Sequence, residues 1–282
     1  MQVMPTENSL NPIKSTACDC HFHVFAAGGS AIEARYAPDY SSPLSAWQAA
    51  ASKAGVTHGV VVQPSFLGID NRLLLATLKE NPDLLRGVAV VSPSATETEL
   101  RNLHTIGVRG IRLNLMGATH DVQAIRDLPA TWWSALIAAG LHIELHGDIG
   151  RIATLLPLIP LHTTVVLDHF AKPHTVSPTD ETVQAVRRRQ QTGGITYITL
   201  SGAYRLGASN ARLRTKFSAE LAAIWLNLLG RDFLLWGSDW PCTNFESDAN
   251  YSHLRDKLQH WLPDAEDKHA ALHDNPQRLY WR

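Results

Sequence analysis

The stretch ACDCHFHVF, residues 17–25, gathers two cysteines, one aspartate and two histidines within residues 17–23. A His-x-His pair at the end of a β-strand presents two imidazoles on one side, at a spacing that suits a single metal ion. The same spacing also suits two core histidines bonded to backbone carbonyls. Side chains alternate along a strand, so His21, His23 and Asp19 are expected on one face, toward the interior. Cys18, Cys20 and Phe22 are then expected on the other face, with the cysteines acting as small buried hydrophobes.

Other residues of the same chemistry stand at the ends of other strand-like runs: His146 in LHIELH, His169 in LDHFAKP and Asp239 in WGSDWP. Four histidines and one carboxylate could thus meet at one rim, whereas His104, His120, His253, His260, His269 and His273 scatter over helices and loops. His142 and Glu144 share a face with His146. They are expected to line the interior as a polar layer or to support a ligand from behind. Arg112 and Arg205 stand near the ends of two further runs. A guanidinium there suits a substrate carboxylate or a polarised carbonyl. Each could equally form a structural salt bridge with Asp19, Asp168 or Glu144.

Positioning these groups requires strands. Eight short apolar runs rich in β-branched residues recur along the chain, at 17–23, 57–63, 86–91, 108–114, 141–146, 163–169, 196–201 and 233–239. Helical patterns fall between them, among others at 70–80, 96–106, 122–139, 178–193 and 217–229. SATETEL carries the Ser/Thr-x-x-Glu signature of a helix start. Alternating β and α elements imply parallel strands, and eight units predict a single-domain α/β fold, a distorted (β/α)8 TIM barrel spanning residues 16–282. An open doubly wound sheet would need a Gly-rich phosphate turn after its first strand, which HVFAAGGSA imitates poorly. Residues 24–42 form a long loop expected over the barrel mouth. Residues 1–15 read as a flexible polar tail.

Composition narrows the function. The 282 residues carry a formal charge of −1 and 45% hydrophobic residues, enough for a large core. A near-zero charge leaves no footprint for nucleic acid, and no apolar run reaches the length of a membrane span. The one basic cluster, Arg187-Arg188-Arg189, reads as a solvated helix face. Three cysteines are too few and too odd in number for a disulfide framework, which points to a reducing cytoplasm. Trp132, Trp133 and Trp261 either pack helices on the barrel or mark a homo-oligomer contact.

DCHFHVF, VVVQPSFLGIDNR, GVRGIRLNLMG, VVLDHFAKP, LSGAYRLG, WGSDWP and DNPQRLYW together resemble the amidohydrolase superfamily, from about residue 17 to the C-terminus. The branch most similar contains 2-pyrone-4,6-dicarboxylate lactonase and related sugar and muconolactone lactonases. The resemblance implies a lactone-opening barrel in which Asp239 is the general base and His23 and His169 assist. It implies Arg112, Arg205, Tyr36, Gln63, Ser65 and Tyr204 as substrate-binding residues. Two departures stand out. Ala118 falls where the pyrone lactonase has a second arginine, which disfavours a dianionic substrate. His146 falls where that enzyme, which works without a metal, has a tyrosine. Metal-dependent members use a histidine there, so His21, His23, His146 and Asp239 are the implied ligands of a divalent ion, zinc foremost, with metal-free operation the alternative.

The sequence therefore points to a hydrolase that opens a small carboxylated or sugar-derived lactone. Two other readings remain: a zinc-dependent non-oxidative decarboxylase, and a catalytically silent barrel that binds a small ligand.

Overall fold

A computed structural model describes residues 17–31, 34, 36–116, 121–207, 210–248 and 250–282. Eight parallel strands lie in chain order in one sheet: β1 (Ala17–Phe22), β2 (Val56–Val62), β3 (Leu85–Ala89), β4 (Val108–Asn114), β5 (His142–His146), β6 (Val165–Leu167), β7 (Thr196–Leu200) and β8 (Leu234–Trp236). The chain just after β8 closes the barrel on β1. There the His23 amide donates to the Trp240 carbonyl at 2.8 Å and the Asp239 amide to the His21 carbonyl at 2.8 Å. Each of the eight expected runs holds a strand, and the fold is a (β/α)8 TIM barrel.

The outer layer comprises α1 (Leu44–Lys53), α2 (Arg72–Glu80), α3 (Glu97–Ile106), α4 (Asp121–Arg126), α5 (Ala130–Ala138), α6 (Ile152–Leu155), α7 (Glu181–Gln191) and α8 (Ala211–Leu229). A C-terminal group follows: α9 (Tyr251–Asp256), α10 (Leu258–Trp261), α11 (Ala265–His269) and α12 (Asn275–Tyr280). The helix start read in SATETEL is a complete capping box. Thr96 accepts from the Glu99 amide, and Glu99 accepts from the Thr96 amide at 2.7 Å. The single helix expected over 122–139 is two helices, because Pro129 holds extended backbone just before α5.

Three further expectations need correction or refinement. Cys18 and Cys20 point into the barrel, where they pack with Val60, Val62, Val88, Val166, Leu235 and Tyr280. Asp19 points outward and accepts from Trp47 of α1 and Tyr251 of α9, at 2.9 Å each. The cause is a bulge: Asp19 pairs with Gly59 and Phe22 with Val61, so three steps on β1 face two on β2. Strict alternation fails there, and His21 and His23 still reach the interior. The cysteines are buried and free, as small hydrophobes. Arg189, read with its neighbours as solvated, is buried; it donates to the carbonyls of Ile159 at 2.9 Å and Pro160 at 2.9 Å. Trp132, Trp133 and Trp261 are buried within the helical layer, and Trp261 donates to Ser218 of α8 at 2.9 Å. The tail 1–15 and the positions Ala118 and His120 lie outside the described residues. No helix among the described residues is long and apolar enough to cross a membrane.

Candidate active site

The C-terminal rim of the barrel carries two buried carboxylates, each the centre of a cluster. The first is Asp239, 1% exposed, in left-handed backbone (φ 58°) just beyond β8. Its Oδ2 accepts from the Tyr204 hydroxyl at 2.6 Å and from Arg205 Nε at 2.8 Å. Its Oδ1 lies 3.3 Å from His23 Nε2 and 3.7 Å from His21 Nε2, while His169 Nε2 stands 3.9 Å from Oδ2. Burial alone would raise the Asp239 pKa. Arg205, with His169 behind it, more than offsets it and holds the carboxyl well below its usual range. His23 Nδ1 bonds the Val62 carbonyl at 2.7 Å, so Nδ1 carries the proton and Nε2 turns an electron pair toward Asp239. Burial lowers the His23 pKa, which favours that neutral form.

The second carboxylate, Asp168, just past β6, sits deeper. Its Oδ1 is 3.2 Å from His21 Nδ1, and its Oδ2 is 2.8 Å from Arg112 Nη2 and 3.0 Å from His146 Nδ1. Burial opposes its ionisation, but His21 and Arg112 outweigh burial and depress its pKa well below the ordinary value. Reciprocally, burial works against protonating His21, and Asp168 with Glu144 raises its pKa nonetheless. Glu144 pairs in register with Arg112 across β4 and β5. Burial and then the Asp168 charge push its pKa up to about 8, so Glu144 is a neutral acid at pH 7. His142 and Glu144 do line the interior below His146, as their shared face predicts.

A left-handed turn supplies the third feature. His169, Phe170, Ala171 and Lys172 all have positive φ, between 39° and 58°. Each such residue costs roughly 1–2 kcal/mol in a chain of L-residues, so the turn persists only because its surroundings enforce it. It aims His169 at Asp239 and swings Lys172 back under Met116. Ser201 holds His169 Nδ1 at 2.8 Å. Gly202 is essential here: its φ is +54°, and a Cβ would come within 2.7 Å of His169 Nδ1. Gly237 makes room for His21 in the same way, with 2.6 Å between a Cβ and that of His21.

These groups frame a cavity of about 630 Å³, open mouth included, lined among others by His23, Tyr36, Ser65, Arg112, His146, His169, Arg205 and Asp239. Tyr36, from the long first loop, contacts Ser65 Oγ at 3.3 Å. Gln63 does not line the cavity: its amide donates to the carbonyls of Gly68 and Asp70, at 3.2 and 2.9 Å, and braces the loop beyond β2. Tyr204 lies behind Asp239 and reaches the cavity only through that carboxylate. Arg112 is in the salt bridge that its position allowed, with Asp168, and its Nε stands 3.3 Å from Glu144; Arg205 pairs instead with Asp239, which was not among the expected partners. Asp168 and Lys172 were missed as site residues. Their signal lay inside LDHFAKP, where the histidine drew attention from its neighbours.

Residues able to hold a metal form two groups at the mouth, His21–His169–Asp239 and His146–Asp168–His169, with a third, His21–Glu144–Asp168, beneath. The implied quartet of His21, His23, His146 and Asp239 is not one group among the described residues. His146 Nδ1 is engaged by Asp168, and its Nε2 faces the Lys172 ammonium at 3.4 Å. Both ring nitrogens of His21 are buried without a hydrogen bond. An orphaned Nε2 beside Asp239 makes His21–His169–Asp239 the group that fits a divalent ion.

An eight-stranded parallel barrel with imidazoles around a buried carboxylate at its C-terminal rim is the scaffold of a TIM-barrel enzyme. An amidohydrolase family model matches residues 18–282, and the chain belongs to that family. It is 30% identical over 281 residues to a 2-pyrone-4,6-dicarboxylate hydrolase of Comamonas testosteroni, covering 94% of this chain and 90% of that one. It is 29% identical over 276 residues to a 4-sulfomuconolactone hydrolase of Rhizobium radiobacter, covering 95% and 91%. Among solved structures, a probable 2-pyrone-4,6-dicarboxylic acid hydrolase of Acinetobacter baumannii with citric acid bound matches with a TM-score of 0.84 and 32% identity, over 95% of this chain and 100% of that one.

Proposed function

We propose that the protein hydrolyses a small lactone that carries a carboxylate, in a reducing compartment such as the cytoplasm. The observation that carries this reading is the Asp239–His23 pair. Two acceptors, Asp239 Oδ1 and His23 Nε2, stand 3.3 Å apart at the cavity wall. A water donating one hydrogen to each satisfies both and turns its own electron pair outward, toward a bound carbonyl carbon. Asp239 then takes the proton as water attacks, and the negative charge that gathers on the carbonyl oxygen faces a wall rich in cations. Arg112, Arg205 and Lys172 outnumber the two carboxylates, so an anionic substrate is drawn in. Arg205 and Tyr204 hold Asp239 in place, and Ser201 holds His169, so the acceptors need no rearrangement during attack.

A divalent ion, zinc by the chemistry of its imidazole and carboxylate donors, would be held by His21, His169 and Asp239 and would polarise the carbonyl and acidify the water. The relatives named as hydrolases of pyrone and sulfomuconolactone rings support lactone opening. The test is a pH-indicator screen of lactones, run with and without added zinc and with CO2 measured alongside. Acid release from a carboxylated lactone is expected. CO2 release instead would identify a decarboxylase, and tight ligand binding without any turnover would identify a silent binding barrel.

A further inference from the structure

Among the described residues, Lys172 is a buried cation whose ammonium bonds no carboxylate. It is 3% exposed. Among the described residues its ammonium has two neighbours within bonding reach: the Met116 sulfur at 3.0 Å and His146 Nε2 at 3.4 Å. A thioether is a weak acceptor, and an ammonium has three hydrogens to place. A buried charge held this poorly is unfavourable until a stronger acceptor reaches it. Its backbone is fixed at both ends of the problem: φ is 39°, and the Lys172 carbonyl accepts from the Gly150 amide at 2.8 Å. Burial lowers its pKa to about 8, which still leaves it mostly charged at neutral pH.

The arginines read from the sequence as carboxylate clamps have less to offer. Arg112 directs Nη2 to Asp168 at 2.8 Å and Nη1 to the Gln63 carbonyl at 3.3 Å, and its Nε faces Glu144 at 3.3 Å without a hydrogen bond. Arg205 is bonded to Asp239 at 2.8 Å and the Thr243 carbonyl at 3.2 Å. Met116 and His146 both line the cavity, so the two neighbours of the ammonium are also the wall between it and a ligand. Methionine is unbranched and readily changes rotamer, which makes its sulfur an easily displaced partner.

We infer that Lys172 is the residue that recognises a substrate carboxylate, with the Met116 sulfur occupying the place of a carboxylate oxygen until the ligand arrives. This rests on the lactone reading for the word substrate, but not for the anion site itself. It makes Lys172 a specificity residue: the ring opens at Asp239, and the carboxylate is held across the cavity on the side of β6.

The probe is citrate, titrated calorimetrically into wild-type protein, K172M and M116A, with thermal unfolding to show that each is folded. Wild type is expected to bind citrate, and K172M to bind it about 10- to 100-fold more weakly, the worth of one charge-assisted hydrogen bond. M116A, which removes the stand-in sulfur, is expected to bind at least as tightly as wild type. Equal affinity for wild type and K172M, no binding to wild type, or weakened binding to M116A overturns the inference. If K172M does not fold, K172Q read in the same titration decides in its place. The titration needs no turnover. A protein that opens no lactone but loses citrate on K172M therefore refutes the lactone reading and keeps the anion site. For any carboxylated lactone that is turned over, K172M should raise KM far more than it lowers kcat.

Discussion

His142 and His146 stand four residues apart on the same face of β5, yet they belong to different kinds of interior. His142 lies at the closed end of the barrel, its ring 5.4 Å from that of Tyr280. Burial drops its pKa to about 3, so it is a neutral, space-filling ring. Gly110 faces it and leaves the room, since a Cβ there would lie 2.3 Å from His142 Nε2. The Tyr280 carbonyl nearby is held by Arg109 at 3.0 Å and Arg86 at 3.1 Å, so the floor is tied shut through uncharged acceptors. His146 lies at the open end between Asp168, Arg112 and Lys172. The same residue type on the same strand is filler at one end and part of a charge network at the other. Burial is similar at both ends; what differs is whether full charges face one another in low dielectric, and that costs stability unless geometry or a ligand compensates.

This contrast can be broken by substitution. D168N is expected to have the largest effect on stability, about 3–5 kcal/mol in urea unfolding, because it leaves buried Arg112 and His21 without their shared counter-ion. A loss below about 1 kcal/mol would mean that the mouth network is not what holds these charges. G202A at the mouth places a side chain at φ +54° and against His169. It should cost roughly 1–2 kcal/mol and also lower turnover, measured side by side by thermal unfolding and the lactone assay. G110A at the floor should cost about 1–3 kcal/mol through crowding of His142, with turnover unchanged. Equal loss of turnover in the two glycine variants would erase the distinction between the ends.

A further expected effect is in the pH profile. The folded protein raises the Glu144 pKa from 4.5 to about 8, so it binds that proton more tightly than the unfolded chain does. The resulting stabilisation is complete below about pH 4.5 and disappears as pH rises through about 8. E144Q, which is neutral at every pH, should flatten the decline in unfolding free energy between about pH 4.5 and pH 8. A profile in E144Q as steep as in wild type would remove Glu144 as its source.

The strand positions were readable because each strand is a short β-branched run closed by a turn residue, and that pattern depends only on local sequence. The convergence of His21, His23, His146, His169 and Asp239 followed from strand ends meeting at one rim. The facing of Asp19 and the cysteines was not readable, because a bulge changes alternation without leaving a composition signal in β1. Lys172 was hidden for a related reason. It reaches the mouth only through four consecutive left-handed residues, and none of the four is glycine, the residue that would have announced such a turn. Gln63 sits at a strand end as a site residue would, but its amide finds the carbonyls of its own loop first.

The most direct test compares D239N with wild type in the lactone assay, with circular dichroism showing that both are folded. If Asp239 collects the proton from the attacking water, turnover should fall by about 100- to 10,000-fold while the barrel stays intact. Unaltered ring opening by folded D239N would show that the chemistry belongs to other groups at the mouth.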